Sequence, residues 1–272
     1  MSQQVDSQHD RVNRCQQLVE APNAPGLLCA LNYRSWNRVD ILLLRLMLTL
    51  GPVFLMLGCG TQSAIDSGPG LNPTQLQVLV AANNWQQIAA ASINCNEPSD
   101  TCAEAHAIRA DACLRLAIQL PADASATKGR TRKLLDDAES GYRNALRLQR
   151  SSASPSVSSY HGGLLLTLSE RRNRLDDSVR ENKLDRENQK LLDAAQEARK
   201  EVPDSALGYV YGASALVYHA LLKESGTDRC QGLKQAAAML KRSPKPPDEL
   251  TTEQKRLQTL IERGLRESNC TS

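Results

Sequence analysis

Arg130 to Gln149 reads RTRKLLDDAESGYRNALRLQ, and these twenty residues decide the fold class. Leu, Ala, Arg, Lys and acidic residues dominate them, with no proline and no alternation of β-branched with polar residues, so the stretch favours a helix. Ala138, Tyr142 and Ala145 recur at helical spacing along one face. Outward from this segment the same composition runs from Pro73 to Cys270, broken at 94–99, 121–126, 151–156, 201–205, 224–227 and 243–248. Between the breaks we expect helices near 73–92, 101–119, 130–149, 158–174, 186–200, 206–223, 228–242 and 250–267. Asn72 before Pro73, Ser99 or Asp100, Ser205, and Thr251 or Thr252 supply N-caps. The interval 174–186 has neither Gly nor Pro, so 158–200 reads as two helices or as one long bent helix. The expected fold class is all-α.

Ala138-x3-Tyr142-x2-Ala145-Leu146 resembles the second-helix pattern of tetratricopeptide repeats. Leu191-x3-Ala195-x2-Ala198, followed by Pro203, and Leu233-x3-Ala237-x2-Leu240, followed by Pro244, are looser copies, and Leu207-Gly208-x2-Tyr211 resembles a first helix. The copies are unevenly spaced, unlike a regular 34-residue array. The resemblance implies a helical-hairpin solenoid, or right-handed α-α superhelix, of three hairpins over about 101–244 with a C-terminal capping helix. A generic helical bundle is the alternative. Ser205 to Leu222 carries no charge over eighteen residues. Its Ser205, Ser214, His219 and three tyrosines favour a buried central helix over a membrane span.

Leu42 to Cys59, LLLRLMLTLGPVFLMLGC, resembles the signal peptide and lipobox of a bacterial lipoprotein. Thirteen uncharged residues, Leu46 to Gly58, follow Arg34, Arg38 and Arg45, a positive flank ahead of an apolar run too short to span a bilayer. Met56, Leu57 and Gly58 form the expected cleavage site, and Met56, Leu57 and the interrupting Arg45 depart from the family pattern. The resemblance implies cleavage before Cys59 and a covalent diacylglycerol on its sulfur. It therefore implies a membrane-tethered, periplasm-facing protein of the cell envelope. Gly60 rather than Asp after the lipid-bearing residue points to the outer membrane. An uncleaved anchor helix over 41–58 is the alternative. Residues 1–40 are expected to be an extension outside the fold, through a start assigned too far upstream or a cytoplasmic tail. Residues 59–72 are expected to be a flexible tether, and 73–270 the helical domain.

The residues before Cys59 hold five of the 33 basic and four of the 30 acidic side chains, leaving 28 and 26. That balance argues against nucleic-acid binding. Lys128-Gly-Arg-Thr-Arg-Lys133 and Arg171-Arg-Asn-Arg174 are expected to be solvated helix faces.

Five cysteines follow Cys59, and export would bring them to an oxidising compartment. Cys95 and Cys102 bracket an interhelix loop; Cys230 opens a late helix and Cys270 lies near the end. These pairings are expected, with Cys113 left over in the core, and other pairings stay open. The alternative is a metal site of Cys95, Cys102, His106 and Cys113, whose donors would suit zinc. His161 and His219 are isolated in sequence. No nucleophile elbow, phosphate loop, dinucleotide fingerprint or zinc-protease motif occurs. Glu139 and Glu170, the imaginable general acids, are expected to be solvated, and Trp85 is the only tryptophan after Cys59, too few aromatics for a sugar cleft. The expected function is a non-catalytic scaffold without a cofactor beyond the lipid, holding an envelope protein or peptide. The alternative is a periplasmic small-molecule, metal or redox binding protein, or a transporter accessory.

Overall fold

The computed structural model describes residues 70–95, 97–121, 125–150, 154–175, 181–222 and 226–270. The expected lipid site Cys59, the cleavage positions Met56, Leu57 and Gly58, and the segments 1–40 and 41–58 lie outside these residues, as does all of the tether before Gly70.

Among the described residues the chain is predominantly helical: α1 (Pro73–Ala81), α2 (Trp85–Ala90), α3 (Asp100–Gln119), α4 (Ser125–Leu148), α5 (Pro155–Asn173), α6 (Glu181–Glu201), α7 (Leu207–Leu222), α8 (Thr227–Lys241) and α9 (Asp248–Glu267). The expected helix 73–92 is two helices. Asn83 takes a left-handed φ of 53°, a conformation Asn tolerates, and Asn84 then caps α2 by accepting from the Gln87 N–H at 3.2 Å. Asn72 and Gln75 form a capping box at the start of α1, with both bonds at 2.9 Å and Pro73 in the first turn. A parallel pair of two-residue strands, β1 (Gly70–Leu71) and β2 (Ser92–Ile93), ties the entry of α1 to the exit of α2. The sequence pattern gave no sign of it, because two residues carry no period. The long bent helix over 158–200 does not form: α5 ends at Asn173, and α6 runs back along it. His161 meets Glu201 near one end of the pair, and Arg171 approaches Glu187 near the other.

Each helix packs against the next. In addition α1 touches α3, α3 touches α5, α5 touches α7, and α7 touches α9. Among the described residues no even-numbered helix packs comparably on the next even-numbered one. The odd-numbered helices therefore stand side by side as one layer, with α2, α4, α6 and α8 behind them.

The core between the layers is built from alanine and leucine. Ala110, Ala138, Ala195 and Ala213 are fully buried, as are Leu164, Leu165, Leu168, Leu191, Leu233 and Leu257. Each buried leucine contributes about 1.5–3 kcal/mol. Central α7 buries Gly208, Val210, Tyr211, Gly212, Ala213, Ser214, Ala215, Val217 and Ala220. Among the described residues no helix is long and apolar enough to cross a membrane. The uncharged stretch 205–222 is thus the middle of the protein's own core.

Small residues set the distance between helices. A methyl group at Gly208 would lie 2.7 Å from the carbonyl oxygen of Ala195 on α6, and one at Gly141 would lie 3.1 Å from the carbonyl oxygen of His106 on α3. Gly129, on the exposed face of α4, has nothing within 4 Å of that position. Gly208→Ala is therefore expected to destabilise the domain by about 1–3 kcal/mol, because backbone cannot yield as a side chain does. Gly129→Ala is expected to stabilise it by up to about 1 kcal/mol. Urea midpoints of the two variants, read by circular dichroism, should move in opposite directions.

Candidate functional site

The last turn of α5 and its C-cap carry Glu170-Arg171-Arg172-Asn173-Arg174. Successive residues on a helix point about 100° apart, and α5 has neighbours on most sides, so each arginine meets a different partner. The expected solvated basic face at 171–174 is overturned for its arginines: Arg172 is buried, Arg171 and Arg174 are half-buried and paired, and only Asn173 is exposed. Arg171 lies 2.8 Å from Asp136 and also pairs with Glu139, both on α4, and reaches Glu187 on α6 at 3.9 Å. Arg174 pairs with Glu170 at 3.2 Å and donates to the carbonyl oxygens of Leu120 at 3.0 Å and Ile118 at 3.3 Å. It thereby satisfies free carbonyls at the C-terminus of α3, where positive charge is favoured. Glu139 and Glu170, expected to be solvated, are likewise enclosed as the carboxylate partners. Burial by itself would raise the Glu139 carboxyl, but Arg171 and Arg143 outweigh it and hold that group below the ordinary glutamate range.

Arg172 is 2% exposed. It donates to Ser214 Oγ on α7 at 3.2 Å and to Asn173 Oδ1, and its guanidinium sits 3.9 Å from the ring centroid of Tyr218. Burial pulls its proton affinity down, and Tyr218 and Glu253 oppose that. Beyond Tyr218 stands Arg256 on α9, paired through two bonds with Glu253 at 2.8 and 3.0 Å. Arg172, Tyr218 and Arg256 thus form a row across α5, α7 and α9, buried at its start and half-buried at Tyr218 and Arg256. Within the row the Arg172 guanidinium stacks on the Tyr218 ring, while Arg256 is held by Glu253. Sequence reading missed it. The available signal was Ser214 and Tyr218 inside an uncharged stretch, since buried polar atoms need partners.

The histidines that stood isolated in sequence are paired. His161 Nε2 lies 3.0 Å from Glu201, and His219 Nδ1 lies 3.0 Å from Asp185. By contrast Lys128, Arg130, Arg132 and Lys133 occupy the exposed face of α4.

Cys95 stands bonded to Cys102, with Cα atoms 5.8 Å apart, and Cys230 to Cys270, with Cα atoms 5.5 Å apart. Cys113 is a free, buried thiol among core alanines, and burial pushes its pKa up to about 11. It is therefore an inert core residue. The four-residue metal set does not assemble. Cys95, Cys102 and His106 come together, but Cys113 lies seven residues beyond His106, about 10 Å farther along α3.

No family model matches this chain, and no curated protein or solved structure matches it.

Arg171→Ala leaves Glu139 with Arg143 and Glu187 with Lys190 as their remaining cations and is expected to cost about 1–3 kcal/mol at pH 7. A depressed carboxyl contributes stability above its unfolded pKa and loses it as pH falls through its folded pKa. The gap between wild type and variant should accordingly be full at neutral pH and narrow below about 4.5, the ordinary glutamate value. Chemical denaturation across pH 3 to 7 measures it. For the disulfides, chain entropy gives about 2.5 kcal/mol for the short Cys95–Cys102 loop and about 4 kcal/mol for the Cys230–Cys270 loop. Paired Cys→Ser variants should lose denaturant stability in that order, with the C-terminal pair costing more.

Proposed function

We propose that this chain is a lipid-anchored, non-catalytic scaffold of a bacterial cell envelope that holds a protein or peptide partner on the layer of odd-numbered helices. One observation carries the reading: each odd-numbered helix touches the next odd-numbered helix, while among the described residues no even-numbered helix packs comparably on the next even-numbered one. In a curved array the closer-set helices lie on the inside of the bend, so the odd layer lines the concave face. We read the domain as a tetratricopeptide-like solenoid of three hairpins, α3–α4, α5–α6 and α7–α8, closed by α9. Supporting this, Ala138, Tyr142 and Ala145 fall on α4, Leu191, Ala195 and Ala198 on α6, and Leu233, Ala237 and Leu240 on α8, the second helix of each pair, and all but Ala237 are buried. Half-buried Tyr218 and Arg256 lie on α7 and α9 of the proposed face, with buried Arg172 beneath Tyr218, and the lipobox-like end at Cys59 supplies its anchor, more in keeping with the outer than the inner membrane.

The test is site-specific photo-crosslinking in the native host. Crosslinkers at Tyr218 and Arg256 should capture one and the same envelope protein, whereas crosslinkers at Arg132 on α4 and Gln196 on α6 should not. Cys59→Ser should release the protein from the membrane fraction and abolish that crosslink. Equal capture from both layers, or membrane retention of the Cys59→Ser chain, would overturn the proposal.

A further inference from the structure

Sγ of Cys95, Sγ of Cys102 and a ring nitrogen of His106 all lie within 4.8 Å of one another where the chain enters α3. We infer that these three residues form a redox-gated site for one zinc-class cation, shut while the disulfide stands and opened by a dithiol reductant. Tetrahedral zinc with thiolate and imidazole ligands holds its donors roughly 3.5–3.8 Å apart, so the bonded sulfurs must part while the ring nitrogen, within 4.8 Å of both, is already near. The three donors are therefore gathered in one place, and opening the sulfur–sulfur bond frees the two sulfurs to turn toward a shared ion.

The local architecture fits both chemistries. Cys102 and His106 are one helical turn apart on α3, so they project on the same side. His106 Nε2 lies 3.1 Å from the carbonyl oxygen of Cys95. The tautomer that donates through that bond leaves Nδ1 with its lone pair, and a backbone carbonyl is a common orienting partner for a metal-bound histidine. Cys102 sits in the first turn of a twenty-residue helix, its N–H donating to the Ser99 cap at 3.1 Å. That position favours a thiolate.

Cys95 is half-buried and Cys102 is buried, so Cys95 is the sulfur a reductant reaches. A thiolate of the reductant attacks Cys95 Sγ, the Cys95–Cys102 bond breaks, and Cys102 leaves with the electron pair, stabilised at the helix N-terminus. The reductant's second thiolate then attacks its own sulfur in the mixed disulfide and frees Cys95. The dithiol has become a disulfide, and the protein has gained two electrons and two protons. A divalent cation displaces those two protons, taking two thiolates and His106 as ligands. The fourth position remains for water or a group from another molecule, the arrangement of an open rather than a closed zinc site.

The experiment uses the full chain in detergent, reduced with a phosphine, and titrated with Co(II) as a spectroscopic stand-in for zinc. One cobalt per chain is expected, with tetrahedral d–d bands and thiolate charge-transfer absorption, both abolished by added zinc. The oxidised chain should show neither. Cys113→Ser should keep the signal, His106→Ala should weaken binding by at least about 100-fold, and Cys95→Ser with Cys102→Ser should lose it. That last variant retains Cys230 and Cys270, so cobalt bound there with unchanged affinity would overturn the inference. A reduced chain that keeps its helical circular dichroism but binds no cobalt would overturn it too. So would a reduced chain that loses that signal and does not regain it with metal. Zinc protection of Cys95 and Cys102 against alkylation, mapped by peptide mass, gives a second readout independent of colour.

Discussion

Everything in this domain depends on how closely its helices approach. A glycine inside a helix costs about 1 kcal/mol relative to alanine, yet a methyl at Gly208 would meet the Ala195 carbonyl oxygen at 2.7 Å and one at Gly141 would meet the Ala110 Cβ at 2.8 Å. Where backbones come this near, alanine suffices to fill the gap, and a chain with few aromatic residues still closes a dense core. The aromatic groups that remain take the places alanine cannot fill. Tyr142 lies against Gly163, and Tyr211 lies buried at the centre of α7.

Tight packing also explains the buried arginines. Between narrowly spaced helices, the space left at the C-terminal end of α5 is lined by backbone carbonyls and carboxylates from α3, α4 and α6, and hydrocarbon side chains would leave those groups unsatisfied. Arg171, Arg172 and Arg174 answer three separate demands from three consecutive turns of direction. Such pairs contribute little net stability relative to a hydrophobic replacement, because taking charges out of water is costly. Their effect is on register. Arg171 meets its partners only when α5 stands at one height against α4 and α6, and Arg172 fixes α7 against α5 in the same way.

The helical class was legible in sequence because composition and period agree over long stretches. The helix ends were legible where a cap stands, as at Asn72 and Ser99. Elsewhere the pattern was silent for physical reasons. Asn83 and Asn84 interrupt a helical run without glycine or proline, and their effect depends on one residue taking a left-handed φ. The interval 174–186 lacks a breaker, so the turn back from α5 to α6 rests on tertiary contacts such as Arg171 with Glu187. The string Arg-Arg-Asn-Arg has the composition of a solvated surface, and only neighbours far along the chain make it interior. Of the gathered cysteines and histidine, the sequence offered Cys102 and His106 through helical spacing, and it misplaced Cys113 because that residue lies two turns too far along the axis.

The two covalent links fall toward the two ends of the described helices. A helix at the end of the described fold has neighbours on fewer sides than one in the middle. Cys95–Cys102 fastens the chain to the start of α3 beside the short helices α1 and α2, and Cys230–Cys270 draws the end of the last helix back onto α8. The middle has no such link and relies on the arginine cluster that joins α3, α4, α5, α6 and α7. The two ends differ in one respect. At the C-terminal end the bridge closes a loop of about forty residues, so its loss is felt across α8 and α9. At the N-terminal end the bridge closes a loop of only a few residues, so its removal costs less than loss of the C-terminal bridge. A labile bond can serve as a switch only where the fold survives its opening, and that condition is met best at Cys95–Cys102.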